Sequence, residues 1–354
     1  MGKYSFTRQA LSPWMKEPGP ESDVVLSSRI RIARNLRNIP FPLQATPAQS
    51  AEVLKRLLDV AESGRLNGMG PLETIRIDSL SDLEKMVLVE KHLISPALAS
   101  ESRNGGLILS AGEHISVMIN EEDHLRIQCL SPGFQVRETW EWASKIDDLF
   151  EESVDYAFDE KLGYLTSCPT NVGTGIRASV MMHLPALVIT GQINRVLSAV
   201  TQIGLAVRGL YGEGSEATGN LFQVSNQITL GQSELEIIDN LHRITRQIIS
   251  QEKEARKRLL SESRLRLEDR VRRSYGILRY AATIDSKETA QRLSDVRLGV
   301  SMGLLPEVNA QVLNELLVST QPGFLQYLSG GHLSPEERDV KRAELIRRRL
   351  ASAG

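Results

Sequence analysis

The sequence predicts a mixed α and β domain followed by a smaller all-helical one, and three patterns carry that expectation. Val24-Val25-Leu26-Ser27-Ser28-Arg29-Ile30-Arg31-Ile32-Ala33 alternates with a period of two, which puts Arg29 and Arg31 on one face of a strand and Ile30 and Ile32 on the other. The apolar runs Leu107-Ile108-Leu109 and Ile115-Ser116-Val117-Met118-Ile119 have the length and composition of further sheet strands. From residue 259 to about 354, charged positions instead alternate with Leu, Ile and Val at helical spacing, with Gly276, Gly299, Gly303 and Pro306 as breaks. With 354 residues, 41% of them hydrophobic, the chain is long enough to build both cores.

Taken in order, residues 1 to 23 hold Pro13, Pro18, Gly19 and Pro20 among polar residues and read as an irregular arm. After the Arg29/Arg31 strand, helical patterns occupy about 47 to 64 and 81 to 94, the second ending before Pro96. Residues 135 to 158 read as helical, and 179 to 209 as a pair of helices interrupted near Pro185. Beyond Gly231 a long helix is expected, because Ile237, Leu241, Ile244 and Ile248 recur at spacings of four, three and four. Its charged continuation from Glu252 to Arg258 reads as a linker or an exposed helix, and places the domain division at 1–258 and 259–354.

The bulk numbers exclude several functions. A net charge of -2 does not suit a protein that works by neutralising many nucleic-acid phosphates, so no direct nucleic-acid partner is expected. The two cysteines, Cys129 and Cys168, form no CxxC and no His/Cys zinc pattern, and a reducing cytoplasm is the simplest setting. No apolar stretch approaches the length that spans a bilayer, and none combines with a basic region as a signal peptide does.

Chemistry gathers in three strings. Asn120-Glu121-Glu122-Asp123-His124-Leu125-Arg126 supplies paired carboxylates that can grip a planar guanidinium; Thr166-Ser167-Cys168-Pro169-Thr170-Asn171 supplies a thiol; and Val172-Gly173-Thr174-Gly175-Ile176-Arg177-Ala178-Ser179 supplies an arginine beside glycine-rich backbone. There is no GxxxxGK[ST] loop and no HRD/DFG set, so the P-loop NTPase and protein-kinase readings fail. Over roughly residues 24 to 240 the chain resembles the phosphagen (ATP:guanido) kinase family, which carries the same NEEDHLR and CPTN strings.

That resemblance implies an antiparallel sheet flanked by helices, ATP with Mg²⁺ as the donor, and no protein metal ligands. It makes Glu122 the general base that orients and deprotonates the guanidinium, and Glu121 the acid beside the nucleotide. Cys168 becomes the thiolate next to the substrate, with Ser167 as the hydroxyl that supports it, while Cys129 remains structural. In Arg208-Gly209-Leu210-Tyr211-Gly212-Glu213-Gly214, Glu213 matches the second arm of the guanidinium clamp found in arginine-specific members, although Leu210-Tyr211 departs from the usual Thr. The implied nucleotide contacts are Ser27, Ser28, Arg29, Ile30, Arg31, His92 against adenine, Arg126, Arg177, Ala178, Ser179, Val180, Met181, and Arg208 through Glu213.

Two departures refine the expectation. The metabolic arginine and creatine kinases carry about a hundred residues of helical domain before the Ser-Ser-Arg-x-Arg strand, and that domain closes over the small substrate; here the strand begins near residue 27. An open site admits an arginine still attached to a polypeptide. The second departure is the helical C-terminal domain, in which Arg338-Asp339-Val340-Lys341-Arg342-Ala343 resembles the RDxxRA phosphoarginine-binding string of the family's protein-phosphorylating branch. There Asp339 would pair with guanidinium and Arg338 or Arg342 with phosphate. The resemblance therefore implies an ATP-dependent protein arginine kinase that marks proteins for proteolysis under stress. A shortened kinase for free arginine and a silent phosphoarginine-binding adaptor are the alternatives. Expected partners are unfolded proteins and a transcriptional repressor as substrates, an activator protein, a Clp-type protease chaperone, and further copies of the chain through the C-terminal domain, with no membrane.

Overall fold

A computed structural model of the protein describes residues 4–101, 103–209 and 218–352. Its centre is an eight-stranded sheet in which every pairing is antiparallel. The strands are β1 (Val25–Arg34), β2 (Leu72–Arg76), β3 (Gly106–Ser110), β4 (Ile115–Ile119), β5 (Leu125–Pro132), β8 (Ile176–His183), β9 (Leu205–Gly209) and β10 (Leu221–Asn226), in the order β2-β3-β4-β5-β1-β8-β10-β9. A two-stranded hairpin, β6 (Phe158–Asp159) with β7 (Gly163–Tyr164), stands apart.

Around the sheet run α1 (Pro47–Glu62), α2 (Asp82–Glu90), α3 (Pro96–Glu101), α4 (Val136–Glu151), α5 (Pro185–Ile189) and α6 (Ile193–Gln202). They lead to α7 (Glu234–Tyr280), α8 (Ser286–Ser301), α9 (Ala310–Ser319), α10 (Pro322–Leu328) and α11 (Pro335–Ser352). No described helix is long and apolar enough to cross a membrane.

Strand alternation sorts the sheet into two faces. Ile30, Ile32, Ile127, Ala178, Val180 and Val224 are buried in the main core, where α4 and α7 cover them. Leu107, Leu109 and Met118 point the other way into a second core, which includes Phe6 of the N-terminal arm, Val87 and Leu88 of α2, and Phe324 of α10. That second core draws its sheet residues from β2 to β5 and, among the described residues, none from β1, β8, β10 or β9. On the uncovered part of the face, cross-strand register aligns Arg31 with Gln128 and Arg177, Arg29 with Ser179, and Gln223 with Arg208 and Met181.

Several local expectations need correction. The helix expected from residue 179 does not begin there, because residues 176–183 form a strand: Ile176, Ala178, Val180 and Met182 are fully buried at period two, with Arg177, Ser179 and Met181 between them. The helix expected over 135–158 ends at Glu151. Glu252 to Arg258 is helix rather than linker and only in part exposed: Glu254, Lys257 and Arg258 face solvent, whereas Glu252 is wholly buried and accepts the Ala186 and Leu187 backbone N–H groups at 3.1 and 3.0 Å, capping α5. Arg256 bonds the same carboxylate at 2.8 Å, which balances the buried charge. The helix α7 runs through residue 258, with a kink at Ser263 (φ -143°, ψ 29°). Gly276 and Gly299 lie inside helices rather than breaking them; a Cβ on Gly299 would meet Val271 Cγ1 at 2.2 Å, so the glycine permits close approach of α8 to α7.

Candidate active site

The acidic string is a tight turn between β4 and β5. Asn120 sits at φ 55°, its N–H reaches His124 O at 3.1 Å, and Glu121 N–H reaches Asp123 O at 3.2 Å. Asparagine tolerates that left-handed geometry, and its amide also donates to Ser50 O and Asn104 O. Asp123 points inward and is fully buried. Its Oδ1 accepts from Asn35 Nδ2 and from Ser167 N–H, both at 2.7 Å, which ties the acidic turn to the cysteine loop. His124 accepts Leu36 N–H at Nδ1 (3.1 Å) and faces Pro40 O with Nε2 (3.1 Å), so its tautomer carries the proton on Nε2. Burial holds its pKa down to about 4. From sequence, Asp123, His124 and Asn35 receive no site role; for the first two the available signal is their place inside the NEEDHLR string, and Asn35, just beyond the Arg29/Arg31 strand, carries none.

With the turn fixed, Glu121 and Glu122 present their carboxylates to Arg126 on β5. Arg126 Nη1 donates to Glu121 at 2.7 Å and Nη2 to Glu122 at 3.0 Å. The Glu121 side chain is buried, whereas that of Glu122 is 40% exposed. Glu122 opens on a cleft of about 580 Å³ lined also by Arg31, Cys168, Thr170, Asn171, Arg177 and Arg208. The three strings thus converge as their chemistry required.

The hydroxyl beside the thiol is not the one expected. Thr170 Oγ1 lies 3.0 Å from Cys168 Sγ, while Ser167 Oγ donates to the Glu122 backbone carbonyl at 2.7 Å. Ser167 therefore positions the glutamate turn, and Thr170, the middle residue of the short 3-10 turn Pro169–Asn171, meets the sulfur. Cys129 is buried, and desolvation pushes its thiol up to about 12.

A second cavity, of about 260 Å³, adjoins the cleft. It is lined by Ser27, Arg29, Arg31, His92, Ser179, Met181 and Arg208, so Arg31 and Arg208 belong to both spaces. Among the described residues Arg29 has only neutral partners, Gln223 Oε1 at 3.0 Å and Ser179 Oγ at 3.4 Å. Burial, then Arg126 and Arg177, lower its pKa to about 10. Arg31 is driven well below its ordinary value by burial and by Arg29, Arg126 and Arg177, and its Nε meets no hydrogen-bond partner among the described residues. Cations crowded in this way await an anion. His92, in a left-handed conformation (φ 58°), is kept neutral with its pKa at about 4 by desolvation and Arg29.

Not every expected contact faces this site. Ser28, Ile30, Ala178 and Val180 are interleaved with site residues but point to the opposite face, where all four are fully buried; Ser28 Oγ donates to Gly133 O. Leu210, Tyr211, Gly212 and Glu213 lie outside the described residues, and Arg208 and Gly209 end β9 at the cleft. In the C-terminal string, Arg342 is buried: Nε donates to Thr320 O (2.9 Å) and Nη1 to Ile284 O (3.0 Å) and Asp339 Oδ1 (2.5 Å). This departs from a phosphate-binding role for Arg342. Arg338, donating to Leu333 O at 3.2 Å, is less enclosed; Val340 is exposed, Lys341 pairs with Glu344, and Ala343 is buried. No cluster of three or more metal-ligating side chains occurs among the described residues.

An antiparallel sheet that sets an arginine-lined anion cavity beside a carboxylate and thiol cleft has the composition of a phosphoryl-transfer site for guanidino nitrogen. Comparison bears this out: residues 53–255 match the ATP:guanido phosphotransferase C-terminal catalytic domain, and residues 249–354 match the protein-arginine kinase McsB C-terminal domain. The chain belongs to the ATP:guanido phosphotransferase family. Its relatives include the protein-arginine kinases of Brevibacillus brevis, 60% identical over 99% of this chain and 98% of that one, and of Bacillus subtilis, 57% identical over 98% and 95%. Among solved structures, lombricine kinase shares the fold with a TM-score of 0.57 at 22% identity, over 72% of this chain and 71% of that one. The duplicated taurocyamine kinase of Schistosoma mansoni, at a TM-score of 0.56 and 24% identity, matches over 65% of this chain and 33% of its own.

Proposed function

We propose that the protein is an ATP-dependent protein arginine kinase, which transfers the γ-phosphoryl group of ATP to arginine side chains of polypeptides. The observation that carries this reading is the shared wall of the two cavities: Arg31 and Arg208 line both the space containing His92 and the cleft containing Glu122 and Cys168. A nucleotide seated against His92 would extend its phosphates over Arg29 and Arg31 toward the cleft, where an acceptor guanidinium would meet Glu122. Such an acceptor is cationic and a poor nucleophile, with a pKa above ~12. Glu122 would orient one nitrogen and take its proton as the phosphoryl group arrives, with the freed ADP oxygens compensated by the arginines. To do so Glu122 exchanges its Arg126 partner for the substrate, which returns Arg126 to the phosphates. Cys168, supported by Thr170, would place negative charge beside the guanidinium. Mg²⁺ would arrive on the nucleotide phosphates and neutralise part of their charge.

The exposure of Glu122 supports an acceptor still tethered to a chain. Unfolded proteins and a repressor are the substrates we propose, acting upstream of a Clp-type chaperone and protease in a cytoplasmic stress response, with an activator protein and self-association through residues 259–354. The test is incubation with ATP, Mg²⁺ and an unfolded basic protein, followed by detection of acid-labile phosphate on arginine by mass spectrometry under neutral conditions. Transfer to free arginine with none to protein would instead identify a free-arginine kinase, and no transfer to either would leave a binding protein.

A further inference from the structure

A third cavity, of about 440 Å³, lies between the sheet and the C-terminal helices, and none of the site arginines Arg29, Arg31, Arg126, Arg177 or Arg208 lines it. Glu90, Leu221, Leu317 and Gln321 line both it and the His92 cavity, so the two share a wall. Its polar end is basic. Arg297, from α8, hydrogen-bonds Asn314 Oδ1 and forms no ion pair with a carboxylate among the described residues. Lys287 brings a second cationic side chain to the lining. His183, at the end of β8, is fully buried; its Nε2 lies 2.8 Å from Ser294 Oγ, and its Nδ1 has no partner among the described residues. Burial, with Arg297 and Arg256 nearby, holds this imidazole neutral, and Arg297 itself is lowered to about 10 by burial and Arg256. Glu90, also in the lining, forms no ion pair with Arg297 among the described residues; its oxygens accept Gly323 and Phe324 N–H at 2.6 and 2.7 Å. Leu221, Leu293, Leu313, Leu317 and Pro322 give the lining an apolar part, and Ser286, Ser294 and Gln321 add neutral polar groups.

A partly enclosed guanidinium with no carboxylate partner among the described residues, in a cavity that also holds a buried imidazole and a group of leucines, is the complement of an anion with a hydrocarbon body. We propose that this cavity binds a small organic anion, its phosphate or carboxylate head against Arg297 and Lys287 and its apolar body against Leu293 and Leu313. The site is separate from the nucleotide cavity and does not depend on the kinase reading. Its residues come from both the sheet and the helical region, so an occupant also braces one against the other.

The experiment is calorimetric titration of phenyl phosphate and, separately, benzoate into the full chain with its nucleotide site saturated by Mg²⁺ and a nonhydrolysable ATP analogue. One equivalent of at least one probe should bind, and the tighter of the two identifies the head group. Arg297→Gln should weaken binding roughly tenfold or more, and Arg297→Lys should retain most of it. Failure of both probes to bind, undiminished binding by Arg297→Gln, or binding that occurs only without the ATP analogue would each overturn the proposal. Because Arg297→Gln can fail to fold, wild-type crystals soaked in 4-bromophenyl phosphate give a second reading. Anomalous bromine signal among Leu293, Leu313 and Pro322 supports the site, and signal confined to other places rejects it.

Discussion

Arg126 bridges the two glutamates of its own turn, with Nη1 at 2.7 Å from Glu121 and Nη2 at 3.0 Å from Glu122. One guanidinium thus occupies the place a substrate guanidinium would take on Glu122, while Glu121, far more buried, keeps its hold. The proposed base is stored as an ion pair and released when phosphates draw Arg126 away.

Glu122→Gln should accordingly lower kcat by roughly 10²-fold or more, since an amide still receives a hydrogen bond but cannot take the proton. ATP affinity should stay near the wild-type value, because Arg126 retains Glu121. Steady-state phosphorylation with a parallel nucleotide titration decides it, and near-normal turnover would remove Glu122 from the chemistry.

The two cysteines should separate cleanly. Iodoacetamide at pH 8 should alkylate Cys168 and leave Cys129 unmodified in the folded protein, because Cys129 is buried with its thiol raised to about 12. Cys168→Ala should lose much activity and Cys129→Ala little. Thr170→Val should slow alkylation of Cys168 and depress kcat, whereas Ser167→Ala should leave the alkylation rate alone and act by loosening the Glu122 turn. Equal alkylation of both cysteines, or identical behaviour of the two hydroxyl variants, would contradict these assignments.

Much of this site was legible because its strings are contiguous: Glu121, Glu122 and Arg126 sit within one turn, and Arg29 and Arg31 within one strand whose alternation shows directly. What escaped notice depended on tertiary pairing. Thr170 and Ser167 flank Cys168 almost symmetrically in sequence, and only the bend at Pro169 decides which hydroxyl meets the sulfur. Residues 179 to 183 read as helix because two methionines and a serine blur the period of the 176–183 strand, which hides that Ala178 and Val180 turn away from Arg177 and Ser179. Arg342 reads as a candidate phosphate partner, and only the fold shows the Thr320 and Ile284 carbonyls, before α10 and α8, holding it.

Acid should destabilise the fold before carboxylates alone would require it. His92 and His124 titrate at about 4 in the folded protein, and His183 well below its ordinary value. In the unfolded chain each would titrate near ~6.5. Between those values the unfolded state binds more protons, so this contribution is complete above about 6.5 and is lost as pH falls toward 4. Thermal unfolding from pH 7 to pH 5 should show a falling midpoint. His124→Gln should start lower and fall less steeply, and a slope identical to wild type would assign the effect to other groups.

Arg342 and Arg338, four residues apart in the C-terminal string, should respond oppositely to truncation. Arg342→Ala removes the partner of the partly exposed Asp339 and leaves the Thr320 and Ile284 carbonyls without their buried donor. Each buried acceptor left unsatisfied typically costs about 1–3 kcal/mol. For a chain this long that predicts a fall in Tm of several degrees, and loss of any phosphoarginine response would then follow from loosened packing alone. Arg338→Ala removes a single 3.2 Å bond to Leu333 O and should leave Tm nearly unchanged. If the string binds phosphoarginine, Arg338 is the cation available for its phosphate, so Arg338→Ala should weaken calorimetric binding of phosphoarginine at unaltered stability and unaltered basal kinase activity. Undiminished binding in Arg338→Ala, with Arg342→Ala merely unstable, would make residues 338–343 a structural clasp that holds α11 against the ends of α8 and α9.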